Sequence, residues 1–315
     1  MASQHLLSLA DLPAEVLAGL VEDGVAIARG AWDERKPLAG KSVGIYFKKS
    51  STRTRTSFTM AALRLGAWTI AYGPNDLQIV TGETLQDTAR VLANYLDALV
   101  IRTNEPIGEM RALAVQDRMS IVNAMSDNEH PTQALADLVT LHEAFGRLED
   151  LHVLYIGEGN NTTSALAFAF GLLPRMRLTI VTPEGYGLSR EVLDQARGLA
   201  ERSGSIGSNI STIEQHHDMD ALPQGVDAVY STRWLTMGVQ RSDPDWLPKF
   251  RPYTITPEVM ARVSKPGTVF MHDLPAMRGY EVVDEVLDGP QSIAFRQAYH
   301  KMTSAMAVLH WCVAG

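Results

Sequence analysis

Residues Ser51-Thr52-Arg53-Thr54-Arg55 crowd hydroxyls and two guanidinium forks into five positions of an otherwise acidic chain. Ser51, Thr52 and Thr54 can donate O–H bonds. Arg53 and Arg55 offer the paired N–H geometry that suits phosphate and carboxylate. Capping a helix consumes one hydroxyl, so a capped helix with a solvated basic turn accounts for part of the cluster only. An oxyanion site accounts for all of it. A second constellation is His130-Pro131-Thr132-Gln133, in which Pro131 suits a helix start and His130 and Gln133, three apart, fall on one side of it. A third is Arg102, closing the apolar run Ala98-Leu99-Val100-Ile101. Open α/β sheets bind ligands at such strand ends; a surface salt bridge is the other reading of a lone arginine there.

The elements that must position these groups read as alternating strands and helices. Val43-Gly44-Ile45-Tyr46-Phe47 is an unbroken apolar run of the kind buried in parallel sheets. Phe58, Ala61, Ala62 and Leu65 then follow a helical period. Residues 5–40 predict one or two helices with Ser8 and Asp11 as caps. Further strands are expected at 68–72, 97–102, 120–124, 151–156, 178–181, 228–231 and 268–271. Helices are expected from Thr84 to Tyr95, from Pro131 to a cap at Gly146, near 189–202 and over 292–313. A Gly/Ser-rich loop covers 203–208, and a polar loop opens after Arg233. Gly157-Glu158-Gly159-Asn160-Asn161 superficially suggests a dinucleotide turn, but Thr162 stands at the third glycine position and Glu158 would face phosphates. An oxidoreductase on that basis is the weaker rival.

The whole chain, 315 residues with a formal charge of −8, is long enough for two domains and too acidic for general nucleic-acid binding. No apolar run is long enough to span a bilayer, and the start lacks a signal-peptide pattern. One cysteine, Cys312, excludes an internal disulfide and points to packing in a cytoplasmic protein.

Ser51-Thr52-Arg53-Thr54-Arg55, Arg102-Thr103 and His130-Pro131-Thr132-Gln133 resemble, in order, the three carbamoyl-phosphate segments of the aspartate/ornithine carbamoyltransferase family. Asp87-Thr88-Ala89-Arg90-Val91-Leu92, Gly157-Glu158-Gly159-Asn160-Asn161, Pro183-Glu184-Gly185-Tyr186, Thr236-Met237-Gly238 and His272-Asp273-Leu274-Pro275-Ala276 are similar to the ornithine branch. The resemblance implies an α/β fold of two doubly wound parallel-sheet domains with the active site between them. Residues 1–145 would bind carbamoyl phosphate, 146–290 would bind the amine, and 291–315 would form a helix returning to the first domain. It also implies a homotrimer in which Gln78 reaches a neighbouring site, with carbamoyl phosphate and an amine as substrates, no nucleic acid or membrane partner, and neither cofactor nor metal. Ser51, Thr52 and Arg53 suit the phosphate, while Thr54, Arg102 and His130 suit the carbonyl oxygen. Gln133 and the Leu274 main chain suit the carbamoyl amide. Lys301 stands where the family has an arginine.

The second substrate is where this chain departs. Ornithine enzymes carry Asp-Val-Trp-Val-Ser-Met-Gly where this chain has Thr232-Arg233-Trp234-Leu235-Thr236-Met237-Gly238, and His-Cys-Leu-Pro where it has His272-Asp273-Leu274-Pro275. The arginine that aspartate enzymes use is replaced by Asn160-Asn161. The expectation is that Asp273 faces the attacking amine and Arg233 a substrate carboxylate, with Asn161, Thr232, Thr236 and Met237 nearby. The acceptor would then be neither ordinary ornithine nor aspartate. The alternatives are that Asp273 pairs with Arg278 or a lysine, that the protein is an ornithine carbamoyltransferase proper, or that it is a non-catalytic anion-binding relative.

Overall fold

A computed structural model describes residues 4–32, 34–203, 210–235 and 243–315. The chain divides into two compact units, 1–146 with 299–315, and 147–298.

The first unit is built from α1 (Ala14–Ala28), β1 (Ser42–Phe47), α2 (Arg53–Arg64), β2 (Trp68–Tyr72), α3 (Leu85–Leu92), β3 (Ala98–Arg102), α4 (Gly108–Leu113), β4 (Ser120–Met125) and α5 (Pro131–Phe145). Its four strands are parallel in the order β2-β1-β3-β4. Burial of β1, β3 and β4 explains their apolar runs; β2, at the edge, leaves Trp68 and Ile70 66% and 46% exposed. In α2 the spacing of Phe58, Ala61, Ala62 and Leu65 is realised as a fully buried stripe. Helix α5 starts on Pro131, ends at Gly146 in the left-handed conformation (φ 71°), and is buried from Pro131 to Leu141. It packs against α1 at Gly24, where a Cβ would lie 2.6 Å from Val139 Cγ2.

The second unit holds β5 (His152–Ile156), α6 (Asn161–Leu172), β6 (Arg177–Val181), α7 (Arg190–Ser203), β7 (Thr212–His216), β8 (Val226–Ser231), α8 (Trp246–Phe250), α9 (Pro257–Val263), β9 (Ser264–His272), α10 (Asp284–Leu287) and the start of α11 (Ala294–Ala314). Residues of α11 from Tyr299 on belong to the first unit. The sheet is again parallel, β7-β6-β5-β8-β9. Trp234, Phe250, Tyr253 and Phe270 fill one core, with the Trp234 and Phe250 ring centroids 5.2 Å apart. The expected α/β architecture of two doubly wound parallel-sheet domains is therefore present.

Several local expectations change. Residues 5–7 are extended rather than helical: Leu6 bridges Val122 of β4, donating N–H to Ile121 O and accepting from Asn123 N. Ser8 does cap, but a short 3-10 turn over Leu9–Asp11, accepting from Ala10 N. The loop at 203–208 lies, past Ser203, outside the described residues, as does 236–242 of the polar loop after Arg233.

Candidate functional site

In the first unit the strand order reverses between β1 and β3, which opens a crevice at their carboxyl ends. Several of the predicted residues converge there. Phe47, at the end of β1, is in register with Arg102, at the end of β3, and α2 begins at Arg53. Thr52 precedes α2 with a helical backbone and no side-chain capping bond, so the hydroxyl cluster is not consumed in ending the helix. Thr54, Arg102, His130, Gln133 and Lys301 are all buried. The guanidinium of Arg102 donates from Nη1 to Thr54 Oγ1 at 3.3 Å and lies 3.4 Å from His130 Nε2. A guanidinium has no acceptor, so Nε2 is the accepting nitrogen and the proton resides on Nδ1, which faces Thr132 Oγ1 at 3.4 Å. Burial, reinforced by the charges of Lys301 and Arg102, holds the imidazole pKa well below its usual range. His130 is a neutral ring in a cationic pocket.

Lys301, reaching in from α11, donates to Gln133 Oε1. Gln133 Nε2 donates in turn to the buried Asp137 Oδ1 at 2.7 Å. A lysine that only donates and a carboxylate that accepts fix which way the Gln133 amide points. Asp137, an i, i+4 partner of Gln133, is the residue that sequence reading missed here. Arg55 lies over the Phe47 ring at 5.3 Å, its Nε buried without a hydrogen bond among the described residues. Ser51 is half-buried on the same turn. Gln78 is exposed, on a 3-10 turn, with its Oε1 taken by Thr81 Oγ1 at 2.8 Å, and does not join the cluster.

In the second unit the reversal falls between β5 and β8. Asn160 there caps α6 through a capping box, its side chain accepting from Thr162 N and Thr163 N. The helix N-terminus is thus satisfied by its own residue, and Gly159 is required by packing, since a Cβ would lie 2.3 Å from Leu188 N. Neither feature is a phosphate cradle, which removes the basis of the dinucleotide reading.

Thr162 Oγ1 and Thr232 Oγ1 donate to the two oxygens of Asp273 at 3.3 and 2.9 Å. Asp273, its side chain 15% exposed, follows β9; Thr232 and Arg233 follow β8; Asn161 opens α6. Arg278 pairs with Asp284 and Asp288 instead, so it is not the partner of Asp273. Arg233 has its Nε buried without a hydrogen bond among the described residues. Thr162 is the residue that sequence reading missed here. Thr236 and Met237 lie outside the described residues.

Leu274 has a left-handed backbone (φ 52°), a cost of about 1–3 kcal/mol for a side-chain-bearing residue. Its N–H donates to His272 Nδ1 at 2.8 Å, and His272 Nε2 faces the buried Glu281 Oε1 at 3.2 Å. The amide N–H of Leu274 is therefore committed, and its carbonyl is the group available to a ligand.

Two parallel-sheet units, each gathering polar side chains at the strand ends where its order reverses, define a doubly wound α/β protein whose first unit is built for an oxyanion. Residues 4–143 match the family described as aspartate/ornithine carbamoyltransferase, carbamoyl-P binding domain, and residues 149–312 match its Asp/Orn binding domain. The chain is 37% identical over 309 residues to an ornithine carbamoyltransferase of Synechocystis, covering 98% of this chain and 96% of that one. It is 36% identical over 310 residues to that of Caldicellulosiruptor saccharolyticus, covering 97% of each. The ornithine carbamoyltransferase structure from Pyrococcus furiosus superposes with a TM-score of 0.90 at 34% identity, over 100% of this chain and 98% of that one. The chain belongs to the aspartate/ornithine carbamoyltransferase family and is a carbamoyltransferase.

Proposed function

We propose that the chain transfers the carbamoyl group of carbamoyl phosphate to an amine of an amino acid, with ornithine the first candidate. The buried convergence of Thr54, Arg102, His130 and Gln133 supports the donor half, and the ornithine carbamoyltransferases at 36–37% identity support the acceptor. The amine nitrogen bonds to the carbamoyl carbon, the carbon–oxygen bond to phosphate breaks, and the amine proton leaves with phosphate or solvent. Ser51, Thr52 and Arg53 take the phosphate. Arg102 and Thr54 donate to the carbonyl oxygen as charge grows there. Neutral His130, accepting at Nε2, holds the Arg102 guanidinium in place for that contact. Gln133, held by Lys301 and Asp137, takes the carbamoyl amide. The mixed anhydride is already activated, so orientation carries much of the rate.

A second reading concerns the acceptor. Asp273 is held by two threonine hydroxyls with its carboxylate partly open, and Arg233 keeps an unbonded Nε. A carboxylate for an ammonium and a guanidinium for a carboxylate favour an amino acid read differently from ornithine, with Asn161 and Thr232 as further contributors. Self-association as a trimer, with Gln78 serving a neighbouring copy, is supported by the apolar side chains Met60, Leu63, Trp68 and Ile70 exposed on α2 and the β2 edge. Cys312, buried and with its thiol pushed well up by burial, fits a reducing cytoplasm. No helix among the described residues is long and apolar enough to cross a membrane.

The test is phosphate release from carbamoyl phosphate with ornithine, putrescine, lysine, aspartate and shorter diamino acids, each ureido product identified by mass. Turnover with ornithine supports the first reading. Turnover confined to another amino acid, lost in Asp273→Asn and Arg233→Gln, supports the second. Silence with every amine overturns both.

A further inference from the structure

Glu129 stands immediately before His130 and is 2% exposed, yet no cation pairs with its carboxylate among the described residues. Its hydrogen bonds go to one place, the extended segment at the start of the chain. Leu9 N donates to Glu129 Oε1 at 2.8 Å, and the Ser8 hydroxyl bonds the same carboxylate. That segment is itself pinned to β4. Leu6 bridges Val122, Asn123 Nδ2 donates to Leu7 O at 2.8 Å, and His5 Nδ1 accepts from Ile121 N at 3.0 Å.

The main chain of Glu129 closes the turn that delivers His130. Its carbonyl accepts from Ser126 N at 2.9 Å and from Ser126 Oγ at 3.1 Å, and its N–H donates to Ser126 Oγ. Asn123, which holds Leu7, also donates to that Ser126 hydroxyl at 3.2 Å. One continuous set of bonds therefore runs from residues 5–9 through Asn123, Ser126 and Glu129. On the other side His130 is confined by Pro131, which restricts the backbone before it. The histidine is clamped at both neighbours.

We propose that Glu129 is a positioning residue, a latch through which the chain's initial segment sets the backbone of His130 and so the carbamoyl-phosphate site. The proposal rests on His130 serving that site. The charged groups facing the latch are Asp11 and Arg111, which pair with each other at 2.9 Å. Burial, only partly offset by the Ser8 and Leu9 bonds, raises the Glu129 pKa to about 7. A carboxyl raised in this direction is open to test by pH, a readout that mere structural support would not move.

The experiment measures kcat and KM for carbamoyl phosphate from pH 5.5 to 8.5 in the wild type, Glu129→Gln and Glu129→Ala, with thermal unfolding of each. Glu129→Gln keeps an acceptor for Leu9 N–H and cannot ionise. It is expected to fold, to retain activity, and to lose an inflection near neutral pH in KM that the wild type shows. Glu129→Ala strands the Leu9 N–H and is expected to raise KM about tenfold or more, the size of one lost buried hydrogen bond. Carbamoyl-phosphate KM within about twofold of wild type in a folded Glu129→Ala, or an unchanged inflection in Glu129→Gln, overturns the latch. If wild-type protein turns over no amine, the transferase reading falls first. Equilibrium binding of carbamoyl phosphate to the same three proteins then reads the latch, and affinities equal across them overturn it.

Discussion

Arg102 shows how one side chain can be fixed by its neighbours' chemistry. Thr54 Oγ1 and His130 Nε2 both lie within 3.4 Å of Nη1, and both accept. A guanidinium held this way is oriented before any ligand arrives, which is what stabilising charge on a developing oxyanion requires. Arg102→Gln removes the cation and the fork. It is expected to lower kcat by about 10²–10³-fold while leaving the unfolding midpoint close to wild type; steady-state kinetics beside a melting curve decide it. The residues gathered at the ends of β1 and β3 were readable because they sit in short contiguous runs. The orientation of those groups was not. Nothing in the run His130 to Gln133 announces that Lys301 orients the Gln133 amide, because that contact spans 168 positions of sequence.

At the scale of elements, most of the strands that were legible are buried, and the exposed edge strand β2 was legible from the β-branched and aromatic residues of Trp68–Tyr72. β7, Thr212–His216, has only Ile213 buried and lies at a sheet edge, so its sequence carries almost no strand signal. Helix α6 failed for the opposite reason. It is buried from Thr162 to Leu172, so it lacks the alternation of apolar and polar faces by which a helix is recognised. The extended start, misread as helix, is held by bonds to β4 that a local pattern cannot contain. Close helix packing makes its own prediction. Gly24→Val, meeting Val139 at the α1–α5 contact, should destabilise the protein by about 1–3 kcal/mol. Gly19→Ala, with nothing within 4 Å on the same helix, should instead stabilise it by about 0.5–1 kcal/mol. Urea titration of both variants checks the contrast.

For the whole molecule, the exposed Trp68 and Ile70 on an open strand edge are a liability in a lone chain, and self-association would cover them. Trp68→Glu should shift the sedimenting species of the purified protein from an assembly towards the mass of a single chain. A wild type that already sediments as one chain would remove the trimer. The two sheets also carry a longer consequence. In each, the polar groups gather at the carboxyl ends of the strands, and in the second unit they lie in the turns beyond them, so such a turn can be rewritten without unpacking a strand. Thr232, Arg233 and Asp273 sit in turns of the second unit, whereas Thr54, Arg102 and His130 sit in the first. If the acceptor is read there as proposed, mutational drift in what the enzyme accepts can proceed with the first unit left intact, and a laboratory library confined to the turns after β8 and β9 is the natural place to redirect it.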